Sequence, residues 1–194
     1  MGCLLNLPAL ASEPVVVNVD NFVRTETAVN FDKTLALLDG EVNKFVHIRE
    51  PQPLDKQSVI RMNRDTLYSG AIVDISKGAT LTIPETNGRY VSVMVVNEDH
   101  YINNVYHDPG TYQLTMEEFD SPYVNITIRT LIDASDPADI EKANAIQDGI
   151  LTSEVLGRAS NANVVYRSFN HLNYSKRQKM KKREIKKFNL EESI

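Results

Sequence analysis

The sequence predicts a mainly β domain with flanking helices, in the α+β class, its antiparallel strands folded into a sandwich or barrel. Three observations predict it. Short apolar segments alternate at period two, as in Ala79, Leu81 and Ile83 or Val124, Ile126, Ile128 and Thr130. Firm turn signals separate such segments at Asn87-Gly88, His107-Asp108-Pro109-Gly110 and Asp120-Ser121-Pro122. Helical spacing of apolar residues is confined to stretches before and after them.

Four units are expected in order: 1–11 as a signal-peptide remnant, 13–57 as an extended and helical segment, 58–157 as the β-sandwich with a closing helix, and 158–194 as an irregular basic tail. Leu4-Leu5 and Leu7 to Ala11 are apolar and end in a small-x-small pattern, so export to the periplasm or beyond is expected. Glu13 to Val23 reads as extended. From Thr25 to about Val46, Phe31, Leu35, Leu38, Val42 and Phe45 form one face of an amphipathic helix, with Asn30 or Thr27 as its cap and Gly40 as an internal break. Pro51 and Pro53 end that region.

Asn63-Arg64-Asp65 is a polar loop entering a strand that carries Leu67, Ala71, Val73 and Ile75. Asn87-Gly88 suits a type I′ hairpin between residues 79–83 and 89–97, since that turn needs φ > 0 at both central residues. Val91, Val93 and Val95 share one face of the second strand, and Tyr90, Met94 and Val96 the other, so it is expected to be central and covered on both sides. Thr111 to Thr115 is a short strand. Asp136-Pro137 opens a final helix with Ile140, Ala143, Ile146 and Ile150 as its apolar stripe.

The net charge of −5 divides unevenly. Residues 175–194 hold eight Lys/Arg against three Glu, leaving 13 basic and 23 acidic residues elsewhere. An acidic body argues against general nucleic-acid binding by the folded part. The basic tail reads first as a disordered, solvated run and second as a nucleic-acid patch. Cys3 is the only cysteine, so neither an intramolecular disulfide nor a Cys-based metal site is available. No apolar run is long enough to span a bilayer. No Gly-rich phosphate loop occurs, and no cofactor is expected.

Chemistry-bearing side chains gather at the expected strand ends. Arg64, Arg89 and Arg129, with Asn63, Asn97 and Tyr101, are candidates for a pocket binding an anion or carboxylate, with Arg64 or Arg89 as fork donor. His100, oriented by Asp99 or Asp65, is the candidate proton-transfer group. The competing reading is a structural Arg–Asp network tying loops to the sheets. His100, His107 and Asp99 fit no standard zinc spacing. Ser69 lacks the Gly-x-Ser-x-Gly elbow of a hydrolase nucleophile. His47 follows an apolar stretch and reads as packing. Two functions follow: a small-molecule binding or interaction module using the loops at Asn63–Asp65 and Asn97–Tyr101, or a hydrolase-type enzyme using His100, Asp99 and Asp65 with Arg64.

Met62 to Ser69, Gly88-Arg89-Tyr90, Asn97-Glu98-Asp99-His100-Tyr101, Pro109 to Tyr112 and Arg129 to Asp139 form five ordered motifs. With Asn144 to Asp148, they resemble the bacterial domain of unknown function 1254 family from about Asn21 to about Leu151. The resemblance implies an immunoglobulin-like β-sandwich with flanking helices, usually in exported bacterial proteins. Members often carry a second β-rich domain, of unknown function 1214, which 194 residues are too few to include. Such a domain, or a second copy of the chain, is therefore the expected protein partner beside a small-molecule ligand.

Overall fold

The alternation of Val124, Ile126, Ile128 and Thr130 supplies the spine of the molecule. A computed structural model describes residues 16–55 and 61–154. Its elements are α1 (Phe22–Ala36), β1 (Val46–His47), β2 (Thr66–Asp74), β3 (Ala79–Ile83), β4 (Val91–Asn97), β5 (Ile102–Tyr106), β6 (Gly110–Leu114), α2 (Met116–Phe119), β7 (Tyr123–Leu131), α3 (Pro137–Asp148) and β8 (Leu151–Glu154). Antiparallel strands make a larger sheet in the order β1-β2-β7-β4-β5 and a smaller one in the order β6-β3-β8. The fold is mainly antiparallel β with a few helices. The expected signal remnant at 1–11 and basic tail at 158–194 lie outside the described residues.

Inward-facing side chains of both sheets meet in one core. Ala71 and Val73 of β2, Leu81 and Ile83 of β3, Val93 and Val95 of β4, and Ile126 and Ile128 of β7 are buried there together. Each fully buried aliphatic side chain contributes roughly 1.5–3 kcal/mol relative to exposure. The opposite face of the larger sheet is covered by α1, whose Phe31 and Leu35 pack on Ile72 of β2. Along one end lies α3, where Ala143 packs against Leu67 and Ile132.

Three expectations are corrected. The first helix stops at Ala36 rather than running to Val46. Asp39 and Gly40 take positive φ values of 53° and 83°, and the Gly40 N–H returns to Leu35 O at 2.9 Å, which closes the last turn. Leu38 is buried beyond the helix end, and Phe45 packs on the main core just before β1. The helix also begins earlier than Thr27 or Asn30 allows. Asn18 and Asn21 exchange side-chain-to-backbone hydrogen bonds of 2.9 and 3.2 Å, folding the segment expected to be extended into the helix entry.

The second correction concerns Asn87-Gly88. The turn forms, with φ of 53° and 80° and Arg89 N–H bonded to Thr86 O at 3.0 Å. It does not make a hairpin. Strand β3 pairs with β6 and β8, whereas β4 pairs with β5 and β7. Pro84 has no N–H to continue a ladder, so the chain leaves the smaller sheet there and crosses to the larger one. The third correction is of omission: the sequence pattern marks neither β5, α2 nor β8. Polar Asn103 and Asn104 mask β5, an edge strand with little to bury.

Candidate functional site

The crossover loop after β3 and the face of α3 form two walls of an open groove of about 1030 Å³. Asp136 caps α3 by accepting from Ala138 N at 2.9 Å, and Pro137 takes the first helical position, as the sequence predicts. This fixes where Asp139 points. Arg89, leaving the Asn87-Gly88 turn, donates through Nη1 to Asp139 Oδ2 at 2.8 Å and through Nη2 to Asp139 Oδ1, a bidentate pair. Nη1 also donates to Leu131 O at 2.6 Å, and Asp133 N donates to Asp139 Oδ2 at 2.8 Å. The Arg89 hydrogen bond, then the Asp133 backbone N–H, hold the Asp139 carboxyl far below the usual carboxylate range. The same pairing raises the Arg89 guanidinium.

Farther along, Gly149 lets the two walls touch. A Cβ there would sit 2.8 Å from Pro84 Cβ, closer than a real side chain permits. Tyr90 and Leu131, 52% and 42% exposed, give the groove an accessible apolar surface. Tyr90 also lies 5.5 Å, centroid to centroid, from the His107 ring.

The structure divides the expected site residues between opposite ends of the larger sheet. Thr66 of β2 and Val91 of β4 align with the Leu131 end of β7, whereas Asp74 and Asn97 align with its Tyr123 end. Nine residues of strand separate these ends by about 26 Å, at the usual rise of roughly 3.3 Å per residue. Arg89, Asn63, Arg64 and Asp65 belong to the groove end. Of these, Arg89 lines the groove. Asn63 Oδ1 accepts from Asp65 N at 3.0 Å, Arg64 Nε donates to Gln52 O at 2.9 Å, and Asp65 O accepts from Ile132 N at 2.8 Å. Arg129 is exposed on the outer face of β7, its guanidinium 5.7 Å from the Tyr68 ring centre.

Asn97, Asp99, His100 and Tyr101 make the β4–β5 turn at the other end. Asn97 is buried and organises it, accepting from Asp99 N at 3.0 Å and Tyr101 N at 2.9 Å while donating to Phe119 O at 2.9 Å. His100 turns the chain at φ 68°. Its Nδ1 is 3.0 Å from Thr27 Oγ1, and that hydroxyl gives its one proton to Val23 O at 2.9 Å. With that proton committed to Val23 O, the Nδ1 side of the ring is the donor to Thr27. Asp99 pairs with Arg24 of α1 at 2.6 Å. These contacts strap α1 to the turn, and they do not bring His100 to Asp65 or to Ser69. His107 lies at the opposite end of β5 from His100, and no group of three metal-ligating side chains occurs among the described residues.

A polar cluster that the sequence reading does not anticipate sits between β1, β2 and α3. The register sets His47 opposite Ser69, and His47 Nδ1 is 2.8 Å from Ser69 Oγ. Gln147, wholly buried, donates toward Ser69 Oγ at 3.1 Å and Tyr68 O at 3.2 Å. Arg49 reaches Asn144 O at 3.0 Å and Asp148 at 2.6 Å. The available signal is Gln147 and Asn144 beside the apolar stripe of α3, because an amide there needs partners. Burial, then the Arg49 charge, push the His47 pKa below its ordinary value of 6.5, with Asp148 opposing. A depressed histidine favours the folded state while neutral. Stability is expected to be full above about pH 6.5 and to fall as acid protonates His47 through its lower folded-state pKa. Urea midpoints from pH 8 to 5 would show a smaller decline in His47→Gln than in the parent protein.

The geometry defines an α+β domain of two antiparallel sheets with a polar-rimmed groove at one end. Residues 42–116 match the family model described as Protein of unknown function (DUF1254), the family that the sequence motifs resemble. The motifs at 62–69, 88–90, 97–101 and 109–112 fall within the match, and those at 129–139 and 144–148 lie beyond it. No curated protein matches the chain. Among solved structures it is similar to the VPA0106 protein from Vibrio parahaemolyticus, at 16% identity and a TM-score of 0.55. That similarity covers 70% of this chain and 36% of the Vibrio protein, and it supports the shared fold. Among the described residues no helix is long and apolar enough to cross a membrane.

Proposed function

We propose that the chain is an exported, immunoglobulin-like β-sandwich module that binds a small molecule in the groove between the β3–β4 loop and α3. The supporting observation is the Arg89–Asp139 pair. It fixes the two walls relative to each other while Tyr90 and Leu131 stay accessible, which is the preorganised polar-and-apolar lining a ligand site needs. Export is the companion proposal, supported by the apolar stretch ending at Ala11 and testable by cell fractionation. A thermal-shift screen over a broad ligand collection tests the binding reading. A ligand at a hundredfold excess over its Kd adds about 2.7 kcal/mol to stability. Hits are expected to lose their shift in Tyr90→Ala and keep it in His100→Ala, at the opposite end. Hits lost in His100→Ala alone would move the site to the β4–β5 turn, and no hits would overturn the proposal.

A further inference from the structure

We infer that the groove takes an organic cation, an ammonium group carried on an apolar or aromatic arm. This rests on the groove being a ligand site and adds the charge and polarity of what it holds. Among the described residues, two cationic side chains line the groove, Arg89 and Lys142, against four carboxylates. Arg89 commits three of its five N–H groups to Asp139 and Leu131 O, so its charge is already paired with a carboxylate of the groove. The remaining carboxylates, Glu85, Asp133 and Asp136, come from both walls and from the segment that joins them. Hydrogen bonds from Ser135 hold Asp133 ionised, lowering its pKa.

The charge does not stand alone. The exposed Tyr90 ring offers a face for a cation, and Leu131 lies directly beside it, its N–H bonded to Tyr90 O at 3.0 Å. Ile146 and Ala145 extend the apolar lining along α3. An anion would meet an excess of carboxylates, and a purely polar cation would leave Tyr90 and Leu131 wet. An amphipathic cation satisfies both surfaces.

Three probes of one shape test this: phenethylammonium, neutral 2-phenylethanol and anionic 3-phenylpropionate, each titrated against the ¹⁵N-labelled chain. Amides of Gly88, Tyr90 and Ile132 report on the groove. Phenethylammonium is expected to bind at least about tenfold more tightly than the alcohol, and to weaken as salt is added. The double variant Glu85→Gln, Asp136→Asn should weaken the cation about tenfold and leave the alcohol unchanged. Asn at 136 keeps the oxygen that caps α3, and Glu85 is exposed, so an unchanged amide spectrum elsewhere will confirm that the variant folds. Equal or tighter binding of the alcohol or the anion overturns the charge assignment and leaves the groove as a site. Silence from all three overturns the cation inference, and the groove reading itself falls only if the broader screen is silent too.

Discussion

Phe119→Ala is expected to destabilise the fold by about 3–5 kcal/mol, the usual range for emptying a fully buried aromatic site. Phe119 ends the one-turn helix α2 yet has no exposed surface. It fills the main core between the two sheets. Thr115 starts that turn by accepting from Glu118 N, and Asp120 ends it at φ 49°. The turn thus points one ring inward while Met116, Glu117 and Glu118 stay exposed. Its backbone matters as well, since Phe119 O receives the Asn97 side chain and so anchors the β4–β5 turn. Urea denaturation measures the loss directly. Phe119→Leu should recover part of it, and a loss below about 1 kcal/mol would show that the surrounding core closes over the site.

Gln147→Leu is expected to cost about 2–3 kcal/mol despite similar volume, because buried acceptors lose their donor. Tyr68 O would retain the Ile48 N–H at 2.8 Å, but Ser69 Oγ would lose the amide that accompanies His47. Arg49 would also lose the Gln147 oxygen at 3.4 Å. A purely steric role predicts no change in His47. The network predicts a shifted His47 titration, readable from its ring resonances, together with the stability loss. An unchanged titration with unchanged stability would remove Gln147 from the cluster.

What was legible in the sequence was whatever a local period or turn residue determines. Val124 to Thr130 alternates because one face of β7 is in the core. Asp136-Pro137 starts α3 because the cap and the fixed proline φ act within one turn. Asn87-Gly88 turned as its chemistry demands. Which strand lay on the far side of that turn was not legible, because sheet membership is decided by distant partners such as Gln113 for Thr80. The candidate site suffered in the same way. Arg89 is legible as a fork donor, but its partner Asp139 lies fifty positions away and the two meet only through the packing of α3. Asp65 and His100 are both strand-end residues in the sequence, but β2 and β4 run parallel through their shared neighbour β7 and so present those ends to opposite poles.

That shared neighbour also governs the order of assembly. Strands β2 and β4 have no direct pairing and are joined only through β7, which comes later in the chain than either. A growing chain extended only to Pro122 holds both ribbons, β2 and β4, with the ladders that face β7 unsatisfied. Such ribbons are prone to mispair until the missing strand arrives. The larger sheet therefore closes late, when residues 123–131 are inserted between partners that have waited for them, and slow folding governed by contacts distant in sequence is the kinetic signature of this topology.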